Sequence, residues 1–182
     1  LASDWALSDN DGDYTVHAVI GVNPSGHWFL LDLWRGQVDA LEATEAWLGM
    51  VKQWKPLVAF DEKVSITKGI GPFRSKLMQE RGIHCRCEEV SLGGMNKLTR
   101  ASHTATHYAA SVQGRFQQGM VHFPSAAPYT ADLIDELLAF PYGKHDDMVD
   151  CFTLLGLGLE LIHNAGKPVQ PEDWNPFRAD NV

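Results

Sequence analysis

Between residues 14 and 60 the hydrophobic pattern changes in an order that few folds accept. Tyr14-Thr-Val-His-Ala-Val-Ile-Gly-Val is rich in β-branched residues and reads as a strand. Asn23-Pro-Ser-Gly supplies a turn, and His27-Trp-Phe-Leu-Leu-Asp-Leu-Trp follows as a second strand. From Val38 to Trp54 the apolar residues switch to helical spacing, and Pro56 ends that run. Leu57-Val-Ala-Phe60 is then short and continuously apolar, the pattern of a strand buried on both faces. With Leu1 to Ala6 as a further strand ahead of them, the order is a three-strand antiparallel meander, a helix and a parallel strand inside the sheet.

The remainder extends this α/β pattern. A helix is expected from Ile70 to Arg81, closed by Gly82, and a strand from Cys85 to Val90. A helix from Thr99 to Phe116, a short extended piece at Met120-Val-His-Phe, and helices from Thr130 to Ala139 and from Asp146 to about His163 follow. Residues 1–163 read as one domain and 164–182, with their prolines and weak periodicity, as a peripheral arm. At 182 residues and 45% apolar, the chain has material for one core. No apolar stretch is long enough to span a membrane, and no membrane partner is expected. No signal peptide is read, and the opening strand suggests a cut at a domain boundary. Three cysteines, Cys85, Cys87 and Cys151, lack zinc-site spacing and fit a reducing cytoplasm.

Acids stand at three separated stations: Asp4, Asp61 after the apolar run, and Asp146/Asp147 in Phe140-Pro-Tyr-Gly-Lys-His-Asp-Asp-Met-Val-Asp. Carboxylates converging from separate elements repel unless a cation lies between them, which points to divalent metal and phosphodiester chemistry. The strand order is that of a ribonuclease H-like α/β fold: a central mixed sheet, a three-strand meander plus parallel strands, with helices on both faces. In that fold metal ligands sit on the first strand, at the end of the fourth and at the start of a late helix. The three stations match those places.

The residues S-D-W-A, D-Y-T-V, F-D-E-K, N-K-L-T-R-A, Q-G-M-V-H-F-P and E-L-L-A-F-P-Y-G-K-H-D-D-M-V-D resemble motifs of one family. It is the C-terminal nuclease domain of the large terminase subunit of tailed bacteriophages. The resemblance implies an endonuclease that cuts concatemeric viral DNA during packaging, in the host cell cytoplasm. It also implies two Mg²⁺ or Mn²⁺ ions and a double-stranded DNA substrate. The implied partners are an N-terminal ATPase motor domain, a portal protein and a small terminase subunit. No phosphate-loop motif occurs in these residues, so the motor is not here. Alternatives are another ribonuclease H-like nuclease, a junction resolvase or transposase-type core, and a non-catalytic packaging-complex module.

Residue by residue, Asp4 would bridge the ions, Asp61 would complete one site, and Asp147 or Asp146 the other. Asp61 and Glu62 point to opposite faces of an extended strand, so only one can join directly. Asp61 is taken as the ligand, and Glu62 as a supporting or solvated group. Asp146, Asp147 and Asp150 crowd one side of a helical turn, more acid than capping requires. Asp147 ranks first, Asp146 second or as N-cap, and Asp150 third. His145 orients a carboxylate, holds a water or is a surface group. Lys97 and Arg100 open a helix and either meet a DNA backbone or are surface charge. His103 and His107 read as an exposed face, and Asp9, Asp11 and Asp13 as a solvated turn. Trp5, beside the first acid, stands apart from the core-spaced tryptophans. A net charge of −8 disfavours free-standing DNA affinity, so such contacts must be local, metal-bridged or assisted.

Overall fold

The computed structural model describes residues 1–6, 12–63, 65–91 and 112–163. Six strands form one sheet: β1 (Ala2–Asp4), β2 (Thr15–Val22), β3 (Trp28–Gly36), β4 (Ala59–Glu62), β5 (Cys87–Val90) and β6 (Val121–His122). Their order across the sheet is β5-β4-β1-β2-β3-β6. β1, β2 and β3 pair antiparallel as the expected meander, and β4 lies parallel to β1 with β5 parallel to β4. This is the ribonuclease H-like arrangement. The piece at residues 121–122 goes further than expected, adding a parallel strand beside β3.

Five helices are described: α1 (Ala40–Trp54), α2 (Ser65–Arg81), α3 (Val112–Gln117), α4 (Thr130–Ala139) and α5 (Asp147–His163). α1 starts where Asp39 accepts from the Glu42 N–H at 2.9 Å and stops where Lys55 turns left-handed before Pro56. α2 begins five residues before the sequence suggests. Gly69, Gly71 and Pro72 weaken helical propensity there, yet Pro72 lies inside the helix. Thr67 Oγ1 donates to Glu62 O at 2.8 Å, and Arg74 is drawn into the interior below. Of the helix expected over residues 99–116, all before Val112 lies outside the described residues, as do Lys97, Arg100, His103, His107 and the arm 164–182.

The sheet divides two cores by period-two alternation. Ala2, Val16, Ala18, Phe60 and Val90 face α5 with α3 and α4, packing on Met148, Cys151, Phe152, Leu154 and Leu155. Val19 and Ala59 face α1 and α2, packing with Trp47, Leu48, Val51 and Ile70. Helices therefore cover both faces. Among the described residues no helix is long and apolar enough to cross a membrane.

Candidate active site

Strand register decides which acids share a face. Ala2 is paired with Phe60 and Ser3 with Asp61 across the parallel β1–β4 ladder. Ala2 and Phe60 belong to the core under α5. Asp4 and Glu62, each two residues further on, therefore face the same side at the same end of the sheet. The antiparallel partner of Asp4 is Val16, and the β5 partner of Glu62 is Val90, both in that same core. Asp4 and Glu62 are half-buried.

α5 crosses this face from β1 to β4, and Asp147 at its start accepts the Tyr14 N–H, next to β2. Cys151 Sγ lies 3.4 Å from Ala2 O, and a Cβ on Gly158 would stand 2.4 Å from the Phe60 ring. Asp146 is the N-cap by position, since its carbonyl accepts from Asp150 N at 2.8 Å. The α5 start is held by a residue that sequence reading passed over. Glu136 of α4 accepts the Met148 N–H at 2.7 Å and the Val149 N–H at 3.3 Å, satisfying two helix-terminal donors.

Asp147 is only 3% exposed. Its carboxyl accepts the Tyr14 N–H, and Oδ2 lies 3.6 Å from Arg35 Nη2 and 3.8 Å from His145 Nδ1. No hydrogen bond reaches that buried Oδ2. Burial pushes the Asp147 carboxyl above its ordinary range and nearby Asp13 adds to this, while Tyr14, Arg35 and His145 oppose. Arg35 also lies 3.4 Å from Glu136 Oε2 and 3.7 Å from the centre of the Tyr14 ring. Burial raises the Glu136 carboxyl likewise. His145 packs edge-on against Tyr14 at 5.2 Å. Asp13 is exposed, as expected of a solvated turn, and bears on Asp147 electrostatically, while Asp9 and Asp11 lie outside the described residues.

Asp61 does not join this group. It is 2% exposed on the opposite face, toward α2. Arg74 Nη1 donates to Oδ1 at 3.1 Å and Nη2 to Oδ2 at 2.6 Å, while Trp5 Nε1 donates to Oδ1 at 2.9 Å. Both oxygens are engaged by a buried guanidinium and an indole, so the strand-end acid facing Asp4 is Glu62. The alternation was readable in the sequence. The partner that fixes its phase, Arg74, lies thirteen residues away on α2.

Carboxylate oxygens suit hard divalent cations such as Mg²⁺ or Mn²⁺. The buried Asp147 Oδ2, with no donor on it and its charge disfavoured by burial, fits such an ion in chemistry. Among the described residues, no three His, Cys, Asp or Glu side chains already stand as a metal-holding group.

No family model and no curated protein matches this chain. Solved structures do. The fowlpox virus Holliday junction resolvase is 14% identical with a TM-score of 0.49, over 90% of this chain and 96% of that one. The fowlpox virus resolvase in complex with Holliday junction DNA is 14% identical with a TM-score of 0.46, over 83% and 92%. T. thermophilus RuvC in complex with a Holliday junction substrate is 10% identical with a TM-score of 0.46, over 85% and 90%. The order and directions of its own strands give this chain a ribonuclease H-like fold.

Proposed function

We propose that this chain is a divalent-metal-dependent DNA endonuclease, with Asp4, Glu62 and Asp147 as its ligand carboxylates and Asp146 and Asp150 flanking them. The observation that carries the reading is the shared face and shared end of Asp4 and Glu62, on the face of the sheet that α5 covers. When bound, two such ions activate a water and stabilise the leaving 3′ oxygen of a phosphodiester. The protein's part is placement. β1 and β4 hold two carboxylates in register, Glu136 fixes the start of α5, and Arg35 with the Tyr14 N–H orients Asp147. Arg35, Lys144 and His145 border an open cavity of about 290 Å³ together with the acids Asp132, Asp135 and Glu136.

The packaging role rests on the terminase-like motifs alone, and junction resolution is the competing substrate. Both are tested in one experiment. The parent chain and its Asp4→Asn and Glu62→Gln variants are incubated with Mn²⁺ on supercoiled plasmid, linear duplex and a four-way junction. The expected outcome is metal-dependent cleavage by the parent. Losses in both variants should exceed the about 10–100-fold typical of groups that only support a ligand. Faster cleavage of the junction assigns resolution, and equal cleavage of linear DNA favours packaging. A parent chain that nicks no DNA in Mn²⁺ refutes the enzyme and leaves the binding module.

A further inference from the structure

We propose that Trp5, Asp61 and Arg74 are positioning residues, a brace on the back of the sheet that holds Asp4 and Glu62 side by side on its front. The inference rests on the nuclease reading above. Each ligand has one brace member as its chain neighbour: Trp5 follows Asp4, and Asp61 precedes Glu62. In extended chain those neighbours point to the opposite face. There the Trp5 Nε1–H donates to Asp61 Oδ1 at 2.9 Å, tying the end of β1 directly to the end of β4.

The strands need such a tie. β1 has three residues and β4 four, so each ligand sits at the last position of a very short strand. Strand ends of that length fray unless side chains hold them. Arg74 extends the tie to α2, with two nearly parallel hydrogen bonds to Asp61 of 3.1 and 2.6 Å. Its guanidinium lies 4.7 Å from the centre of the Trp47 ring and 5.7 Å from that of Trp5. Trp5, Asp61, Arg74 and Trp47 are all buried, so no water substitutes for a lost bond. A buried ion pair is weak evidence for stability, because apolar residues of similar volume commonly serve as well or better. Its directional content is what apolar residues lack, and that content is aimed at the two strand ends.

The test uses the full chain, with Mn²⁺ alone as the probe, its binding followed by the electron paramagnetic resonance signal of the free ion. Two variants remove the brace differently: Trp5→Phe deletes the indole donor, and the pair Asp61→Leu with Arg74→Met replaces both charges by apolar groups. Melting curves report the fold, and plasmid cleavage reports activity. The expected result is that the pair melts no lower than the parent, while both variants bind Mn²⁺ about 10–100-fold more weakly. Cleavage should fall in step and be partly restored by excess Mn²⁺. A merely structural role gives the reverse, a change in melting without a change in metal affinity. Folded variants that bind Mn²⁺ like the parent overturn the brace. So does loss of binding in Asp61→Asn with no effect of Trp5→Phe or of Arg74→Met, which returns Asp61 to the ligand set. A parent that binds no Mn²⁺ removes the nuclease reading and the brace with it; a failure of the brace alone leaves parental binding and cleavage intact.

Discussion

His17 is wholly buried in the middle of β2, between the rings of Trp5 at 4.7 Å and Trp34 at 5.2 Å. Its Nε2–H donates to Ala43 O at 3.0 Å, and its Nδ1 has no partner. Burial lowers its pKa from 6.5 to about 4, with Arg74 pushing the same way and Ala43 O and Asp61 opposing. The sign follows from proton linkage. Between those two values the unfolded chain binds a proton that the native state refuses, so stability falls as pH drops through that window. The loss attributable to this one group is on the order of 3 kcal/mol. Asp147 and Glu136 work oppositely, because their raised native pKa values make the folded state the better proton binder as pH falls. His17→Gln keeps a donor for Ala43 O without titrating. Urea midpoints at pH 7 and pH 4 should show the variant losing less stability than the parent. Equal losses in the two proteins would place the acid sensitivity elsewhere. Asp61 and Glu62 carry a related lesson at this scale. Adjacent acids on one strand announce that one faces each layer, yet nothing within F-D-E-K says which face holds the guanidinium. The phase of β4 becomes legible only once Arg74 is known to lie beneath it.

The close approach of α5 to the sheet depends on its glycines. A Cβ on Gly158 would lie 2.4 to 2.5 Å from three atoms of the Phe60 ring, and Phe60 is itself fully buried and cannot move aside. Gly158→Ala should therefore lose about 1–3 kcal/mol to overpacking, against roughly 1 kcal/mol gained in helix propensity. On the exposed side of α1, a Cβ on Gly49 would meet nothing within 4 Å. Gly49→Ala should keep the propensity gain, and urea denaturation of the two variants should move in opposite directions. A stabilised Gly158→Ala would mean that α5 can lift from the sheet at no cost. Element types were largely open to reading, because Thr15–Val22 is rich in β-branched residues and Ala40–Trp54 and Thr130–Ala139 each hold a helical hydrophobic period. Less legible were features fixed by remote partners. The start of α2 is tied to the end of β4 by the Thr67 hydroxyl on Glu62 O, and Val121–His122 pairs with β3. The Glu136 cap on α5 joins residues twelve and thirteen apart.

At the scale of the whole molecule, a net charge of −8 sets the conditions under which the proposed nuclease would meet DNA. Coulomb repulsion between an acidic domain and a phosphate backbone opposes encounter, and it is strongest at low ionic strength where charges are least screened. Affinity in the absence of metal should therefore fall at or below the non-specific range of about 10⁻⁴–10⁻⁶ M. Divalent ions change the balance locally. At the proposed site they would convert the sheet end that carries Asp4 and Glu62 from a repulsive surface into a bridge to phosphate. Fluorescence anisotropy on a short duplex, in EDTA and then in Ca²⁺ as a metal that binds carboxylates, should show weak binding that the metal strengthens. The metal-induced gain should shrink in Asp4→Asn and Glu62→Gln, and plasmid cleavage in Mn²⁺ should decline as monovalent salt rises and screens the bridge. Melting temperature supplies a second readout on the same proteins, since an ion that binds only the folded state raises it by mass action. The parent should gain more from Mn²⁺ than either variant. Nanomolar DNA binding in EDTA at physiological salt would overturn this account, because the affinity would then come from a surface that owes nothing to the metal.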